Sequence, residues 1–322
     1  MSVFDLGWGN SVAVREAFLN TYHQNPMVLA KEELAKFDYP AHEGDPELIE
    51  ITKQVVKRQT GREYKHLFLV NGATGGVIIA LRAMKQRGAE ICITRKPPFY
   101  VKYPLIIQTA GLEQVDKDDK NRDGVTLIDY PSNPLGLTTD FGAGDIPKII
   151  DGVCLNNVYM PLTLPVPHHD VMIGSYSKLT GMNGIRVGWL ATNDAGLAWR
   201  FQELVTAEYC GLDTASMNIL KHTLQGFDWE RFEISARFKL DCNREEWQKL
   251  ERFFQETPVN PVGMFYYGPM DAKAQEIFKK ANVTWTPGSS LSTDDSFGRF
   301  NLGAKNEVIE AAVKAVLKAD RR

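Results

Sequence analysis

Short apolar runs alternate with helical patterns through the middle of the chain. Runs bounded by turn residues predict strands at 66–70, 90–94, 125–129, 153–155 and 172–173. A helical spacing of apolar residues over 77–85 separates the first two strands. Strands that alternate with crossover segments favour a mainly parallel central sheet, so we expect an α/β fold.

The last third of the chain has a different pattern. A helical spacing follows Trp189 through 199–205, and a longer helix is predicted over 228–256. The buried side of that helix is expected to contain Trp229, Phe232, Ile234, Phe238 and Leu250. An α+β segment is then predicted from an extended run at 263–267, helices at 271–281 and 305–318, and strands at 283–286 and 297–302. We therefore predict a large domain over 41–205 and a smaller one formed by 1–40 and 206–322.

Composition excludes several classes of partner. The 322 residues are 43% hydrophobic and 24% charged, with a formal net charge of -3, which leaves no basic surface for nucleic acid or an anionic membrane. The four cysteines form no CxxC pair, and the adjacent His168 and His169 would point to opposite faces of an extended segment, so no metal site is expected. The start of the chain lacks the pattern of a signal peptide, and a cytoplasmic protein is predicted.

The segment 175–186 reads Ser-Tyr-Ser-Lys-Leu-Thr-Gly-Met-Asn-Gly-Ile-Arg and follows a predicted strand. The amine of Lys178 can form a Schiff base with an aldehyde, whereas a hydroxyl such as Ser175 and the guanidinium of Arg186 can neutralise a phosphate. These residue types at this spacing indicate an anchor for pyridoxal phosphate. The alternative is a lysine in a solvated loop.

A glycine-rich segment, 71–76, ends the first strand and begins the following helix. Backbone amides at the helix start, together with the Thr74 hydroxyl, would make a cradle for an anion. The alternative is a turn that needs glycine for its backbone angles.

Taken together, these segments resemble the aminotransferase class I/II family, the fold type I pyridoxal phosphate enzymes, over nearly the whole chain. The resemblance implies a mainly parallel sheet in a large cofactor-binding domain and a smaller α+β C-terminal domain. It gives the cofactor contacts as Ala73, Thr74, Tyr100, Asn133, Asn156, Tyr159, Ser175, Lys178 and Arg186, with Tyr39 reaching the phosphate of a neighbouring subunit. It gives the substrate contacts as Trp8, Gly9, Asn133 and Arg299, with Arg299 holding the carboxylate and Lys178 and Tyr159 as the catalytic residues.

One position departs from the family pattern. The residue three before the tyrosine that Tyr159 resembles is normally an aspartate paired with the pyridine nitrogen, and here it is Asn156. A carboxylate about 3 Å from that nitrogen would contribute roughly 5 kcal/mol of gross Coulomb attraction at an effective dielectric near 20. Asparagine supplies almost none of this attraction. A different acid, such as Asp151, could replace it, but Asp151 precedes the strand predicted at 153–155.

The resemblance therefore implies an enzyme that acts on an α-amino acid, most simply an aminotransferase that also uses a 2-oxo acid. Lys178 would hold the cofactor and move the α-proton. Trp8 and Tyr39 would line a pocket for an apolar or aromatic side chain. A homodimer with shared active sites is expected. Asn156 keeps open a lyase, decarboxylase or β-replacement enzyme and, as a minor alternative, a non-catalytic binding protein. On this interpretation, Asn156→Asp is expected to raise transamination.

Overall fold

The computed structural model describes residues 3–22, 39–116, 123–138, 146–159, 166–256 and 262–321. In chain order the strands are β1 (Phe4–Asp5), β2 (His66–Asn71), β3 (Ile91–Thr94), β4 (Glu113–Asp116), β5 (Gly124–Asp129), β6 (Lys148–Asp151), β7 (Val171–Ser175), β8 (Val187–Thr192), β9 (Phe265–Pro269), β10 (Val283–Thr284), β11 (Thr286–Pro287) and β12 (Phe297–Asn301). The α-helices are α1 (Val12–Thr21), α2 (Pro46–Thr60), α3 (Gly72–Gln86), α4 (Tyr103–Thr109), α5 (Tyr176–Leu179), α6 (Ala195–Tyr209), α7 (Thr214–Leu224), α8 (Trp229–Gln248), α9 (Ala272–Lys280) and α10 (Asn306–Asp320).

The centre of the fold is a seven-stranded sheet with the order β2-β8-β7-β6-β5-β3-β4. The pairs from β7 through β4 are parallel, whereas β8 runs antiparallel to both of its neighbours. The predicted mainly parallel sheet is therefore confirmed, and β8 is an element that the sequence pattern did not predict. All six residues of β8 are buried, so it has no polar alternation that would distinguish a strand from a buried helix.

The strand predicted at 153–155 is wrong. The strand is β6, which ends at Asp151, and the apolar residues after it form a turn in which Leu155 N donates to Gly152 O at 2.9 Å. Asp151 helps to make this turn because its Oδ1 accepts a hydrogen bond from Val153 N at 3.1 Å. Asp151 therefore lies at the carboxyl end of a central strand and does not precede it.

The predicted α+β segment is confirmed. Strands β11, β12 and β9 form an antiparallel sheet, and β1 pairs in parallel with β10. Helices α9 and α10 pack on this side around a core that contains Trp247, Phe278 and Phe300. The predicted domain division stays a prediction. Helix α7 falls in the predicted smaller domain, yet its Leu220 belongs to the core that packs on the central sheet.

The long helix after 228 is shorter than predicted, and its buried face differs. Helix α8 ends at Gln248 and buries Phe232, Ala236, Leu240, Asn243 and Trp247, which recur at intervals of three or four residues. Ile234 and Phe238 lie between these positions on the opposite face and are 65% and 69% exposed. Placing them in the core was therefore wrong.

The carboxyl ends of β5, β6 and β7 meet at one edge of the sheet, next to the amino ends of α3 and β8. In open α/β sheets this edge is where loops converge and ligands bind. Across the described ranges, no helix is long and apolar enough to span a membrane.

Candidate active site

The amino end of α3 is built as an anion site. The N-cap residue Asn71 makes no side-chain capping hydrogen bond, and Gly72 has a φ of 64°. Gly72 N donates to Arg186 O at 3.0 Å, and a Cβ at position 72 would collide with Nη2 of Arg186. The guanidinium therefore lies across the start of a 15-residue helix, whose first turn contains the buried Ala73 and the exposed Thr74. Helix dipole and guanidinium together favour a phosphate here.

Two serines precede the lysine and have different contacts. Ser175 caps α5 by accepting a hydrogen bond from Ser177 N at 3.1 Å, and its Oγ lies 3.1 Å from Val187 O. Arg186 Nη1 reaches Ser177 Oγ at 3.5 Å and donates to Asn183 O at 3.0 Å. Ser177 and the start of α3 therefore both contact Arg186. Ser177 was not among the predicted cofactor contacts, although its place in the Ser-x-Ser-Lys run could have indicated it.

The Lys178 amine lies at the edge of the central sheet where β5, β6 and β7 end. Its Nζ donates a hydrogen bond to Gly9 O, and a Cβ at position 9 would come within 3.6 Å of that nitrogen. Burial lowers the pKa of Lys178; nearby Cys154 opposes this shift, and the positive charges of Arg299 and Arg186 add to it. A lowered pKa enlarges the fraction of neutral amine, which is the nucleophilic form.

Arg299, on β12, faces the site from the smaller sheet. Its Nη1 donates to Asn133 Oδ1 at 3.1 Å, and its Nη2 donates to Gly7 O and Thr286 Oγ1, each at 3.1 Å. The guanidinium carbon lies 4.4 Å from the ring centroid of Phe265. Burial lowers the pKa of Arg299 to about 10, which still leaves it charged at neutral pH. Its Nε is buried and meets no acceptor among the described residues, as expected of a group that can bind a carboxylate.

The aromatic side of the site is formed where α4 begins. Tyr100 is partly buried, and burial raises the pKa of its hydroxyl while the nearby Thr74 side chain opposes this shift, so the ring lies beside the helix start. Its ring centroid is 5.5 Å from that of Tyr103, at an interplanar angle of 82°. Tyr100 is thus positioned to provide a flat apolar surface near the phosphate cradle.

Two buried carboxylates lie opposite each other in β5 and β6, at Asp129 and Asp151. Asp129 pairs with Arg95 Nε at 2.9 Å and accepts Asn133 N at 2.9 Å. Asp151 accepts the Tyr103 hydroxyl at 2.8 Å, and no described lysine or arginine forms an ion pair with it. Burial raises the pKa of Asp151 to about 6, the hydrogen bond from Tyr103 opposes this, and the charge of Asp129 adds to it. Asp151 is therefore a buried acid that lacks a counterion in the described chain.

Asn156 and Tyr159 have other contacts. Asn156 Oδ1 accepts Val158 N at 2.9 Å and Tyr159 N at 3.2 Å, and its buried Nδ2 meets no acceptor in the described ranges. The Tyr159 hydroxyl lies 2.8 Å from Ser11 Oγ and 3.0 Å from Lys178 O, and burial raises its pKa. Asn156 thus holds the turn before Tyr159, and Tyr159 holds the backbone of Lys178.

Two predicted contacts are largely exposed in the single chain. Trp8 is 73% exposed, in a loop whose carbonyls at Trp8 and Asn10 accept Nδ2 of Asn301 at 2.5 and 2.8 Å. Tyr39 is 90% exposed and lies beside the start of α2 and helix α7. Trp8 therefore sits at the rim, and Tyr39 faces outward.

The chain is similar to known proteins in parts of its sequence. Residues 160–316 match the aminotransferase class I and II family. The chain is 28% identical to tryptophan aminotransferase-related protein 1 of Oryza sativa subsp. japonica over 179 residues, 51% of this chain and 40% of the relative. It is 25% identical to the (5-formylfuran-3-yl)methyl phosphate transaminase of Methanocaldococcus jannaschii over 255 residues, 69% of this chain and 66% of the relative.

The fold comparison covers more of the chain. A Methanococcus jannaschii protein, described as similar in its active site to kynurenine aminotransferases, superposes with a TM-score of 0.78 at 21% identity, covering 98% of this chain and 91% of that one. This similarity confirms the predicted fold type I architecture. The matches to the curated relatives cover only about half of those proteins, from 40% to 66% of their length.

Proposed function

We propose that the chain is a pyridoxal phosphate-dependent aminotransferase of the class I and II family, acting on an α-amino acid and a 2-oxo acid. One observation carries the proposal. The buried amine of Lys178 lies near Arg299, whose Nε has no described acceptor. Lys178 follows β7, and the neighbouring strand β6 ends at Asp151, a buried carboxylate without a described counterion. The lysine amine would bind the aldehyde of the cofactor, the arginine would bind the carboxylate of the amino acid, and the aspartate would face the ring nitrogen of the cofactor.

The residues at the sheet edge fit pyridoxal phosphate. The start of α3, Thr74, Ser177 and Arg186 would hold the phosphate, and Tyr100 would lie on the ring. When bound, the cofactor supplies an aldehyde for the lysine amine and a ring that accepts electrons from the α-carbon of the substrate. Ser175 would act by shaping the turn, since its hydroxyl caps α5.

We propose that Asp151, and not Asn156, faces the ring nitrogen. Asp151 ends the strand between β5 and β7, is buried, and has no described cation to balance its charge. Asn156 uses its carbonyl oxygen for two backbone amides. A carboxylate at the ring nitrogen would let the cofactor ring accept electrons strongly. The main argument for a lyase, decarboxylase or β-replacement enzyme was the lack of such a carboxylate at Asn156, and this argument then no longer applies. In this assignment the position three residues after the aspartate is Cys154, a buried thiol near Lys178.

The side chains then have separate tasks. Lys178, partly neutral because burial lowers its pKa, would attack the aldehyde and later take and return the α-proton as general base and acid. The carbonyl of Gly9 would orient this amine. Arg299 would bind the substrate carboxylate, and Asn133 would hold the guanidinium in place. The proposed catalytic role of Tyr159 is indirect, because its hydroxyl bonds the lysine backbone.

The proposed substrates have apolar or aromatic side chains. Phe265 lies under Arg299, and its ring would be 3.3 Å from a Cβ at Gly9, so the wall next to the amine is apolar. Trp8 extends this surface at the rim. Phe265 has no motif in the sequence and was not predicted.

A homodimer with shared sites is also proposed. Tyr39 lies beside the start of α2 and helix α7 and is almost fully exposed, which supports a role in the site of a second subunit. The predicted absence of a nucleic acid partner and the predicted cytoplasmic location stay predictions.

The test is spectroscopic. Purified protein mixed with pyridoxal phosphate should gain a visible absorption band that Lys178→Ala abolishes and the surface control Lys280→Ala retains. Addition of aromatic amino acids should convert the band and release the matching 2-oxo acid. Asp151→Asn should slow this conversion, whereas Asn156→Asp should not accelerate it. A protein that gains no band, or that releases ammonia or carbon dioxide in place of the oxo acid, would refute the proposal.

A further inference from the structure

Tyr103 is the buried group that contacts Asp151 directly. Its hydroxyl donates to Asp151 Oδ2 at 2.8 Å, and the two side chains are almost fully enclosed, with exposed fractions of 2% and 6%. Tyr103 N donates to Tyr100 O at 3.0 Å, so a single turn fixes both tyrosines. The same turn therefore positions both the Tyr100 ring beside the start of α3 and the Tyr103 hydroxyl against the carboxylate.

The hydroxyl is always a donor. Burial raises the pKa of Tyr103 well above its usual value, and the negative charges of Asp151 and Asp129 raise it further. The proton therefore stays on the phenol at any working pH. A donor that is always present favours the charged form of the carboxylate that accepts it.

The contrast with Asp129 shows what this hydrogen bond does. Asp129 has a guanidinium, Arg95, at 2.9 Å, whereas the donors to Asp151 among the described residues are neutral: Tyr103 and the amide of Val153. The two carboxylates repel each other across β5 and β6, so without help Asp151 would readily take up a proton.

We propose that Tyr103 is a positioning residue whose hydroxyl holds the Asp151 carboxylate charged and correctly oriented for the ring nitrogen of the cofactor. This inference rests on the proposed function, since it needs a cofactor with such a nitrogen. The titratable groups facing Asp151 are Asp129 on β5, Tyr100 and Tyr103 at the start of α4, and Cys154 in the turn after β6. Of these, only Tyr103 donates a side-chain hydrogen bond to it within the described residues.

The experiment uses pyridoxine 5'-phosphate, which keeps the ring nitrogen and phosphate but has an alcohol in place of the aldehyde. Its binding to the cofactor-free protein therefore does not depend on Lys178 chemistry. Dissociation constants are measured from pH 5 to 9 for wild type, Tyr103→Phe, Asp151→Asn and the double variant. Tyr64→Phe is the matched control, because it removes another buried tyrosine hydroxyl, one bonded to His169 at 2.5 Å.

The sign of the expected shift follows from the hydrogen bond. Removing a donor to the charged carboxylate raises the pKa of Asp151, so its charge is lost at a higher pH as the solution is acidified. Tyr103→Phe should move the acid-side loss of affinity upward by about one pH unit and weaken binding about tenfold at neutral pH. Asp151→Asn should remove this pH dependence, and Tyr103→Phe should add nothing in that background.

Each other outcome is decisive. If wild type binds neither pyridoxal phosphate nor its alcohol, the proposed function fails. If wild type and Asp151→Asn behave as expected but Tyr103→Phe titrates like wild type and Tyr64→Phe, only the positioning role is overturned. If Tyr103→Phe weakens binding equally in the Asp151→Asn background, the tyrosine acts on packing and not through the carboxylate, which also overturns it.

Discussion

Replacing Asp151 by asparagine should stabilise the cofactor-free protein at alkaline pH. The carboxylate is buried beside Asp129 and has no described counterion, so its charge opposes folding. Asparagine is nearly the same size and carries no charge. A residue kept for cofactor binding is expected to cost stability in this way.

The magnitude follows from the shift in pKa. The pKa of Asp151 is raised from 3.8 to about 6. A raised folded-state pKa means that the stabilising contribution is present below the unfolded value and is lost as pH rises through the folded value. About two pKa units correspond to about 3 kcal/mol of destabilisation once the pH is well above 6. Asparagine can accept from only one side-chain oxygen, and losing one hydrogen bond costs about 1 kcal/mol.

The variant should therefore be more stable than wild type by about 2 kcal/mol at pH 8 and by only about 0.5 kcal/mol at pH 5, where the wild-type carboxyl has regained most of its proton. Urea unfolding of the reduced, cofactor-free proteins at both pH values gives the difference directly. Asp213→Asn is the control: Asp213 caps α7, its pKa is lowered by hydrogen bonds from Ser216, and it stays charged at both pH values. Its effect on stability should not change between pH 5 and 8.

The reasoning is refuted if Asp151→Asn is less stable than wild type at pH 8, or if its effect is the same at both pH values. Either result would mean that the carboxylate is solvated or paired. Excess pyridoxal phosphate should reverse the ranking at pH 8, because wild type then gains a cation for its buried charge.

Three other changes test the rest of the site and fold. Gly9→Ala would put a methyl group 3.6 Å from Lys178 Nζ, so the visible cofactor band should form more slowly while the unfolding midpoint stays unchanged; an unaffected rate would contradict the site geometry. Arg299→Lys keeps the charge but loses the guanidinium fork, so KM for the amino acid should rise about tenfold or more with cofactor affinity unchanged, and equal KM values would exclude Arg299 as the carboxylate ligand. Gly174→Ala would drive a Cβ into the ring of Trp189, and thermal unfolding should show a loss of about 1–3 kcal/mol; a wild-type midpoint would argue against this packing.

Several features of the site were readable from the sequence because they are local. The spacing of Ser175, Lys178 and Arg186 is fixed by one strand end, one short helix and the start of the next strand. The glycine-rich start of α3 is local in the same way. Parallel strands place such ends along one edge, so the alternation of apolar runs was enough to predict that they meet.

The proposed partner of the ring nitrogen, Asp151, could not be predicted in this way. Residues 153–155 are as apolar as a strand, so the pattern placed the strand there and left Asp151 before it. The structure ends β6 at Asp151, because Gly152 begins a turn and Asp151 itself caps it. A shift of a few residues in one strand therefore places Asp151 at the carboxyl end of β6, on the edge of the sheet that contains the proposed site.

The sequence by itself determined the fold class, the position of the lysine and the segments proposed to hold the phosphate, since each depends on neighbours within a few residues. Only the tertiary structure brought Tyr103 beneath Asp151 and Phe265 beneath Arg299. These contacts join elements that are distant along the chain and depend on strand register and helix packing. Register and packing are set by the whole core, and no local pattern records them.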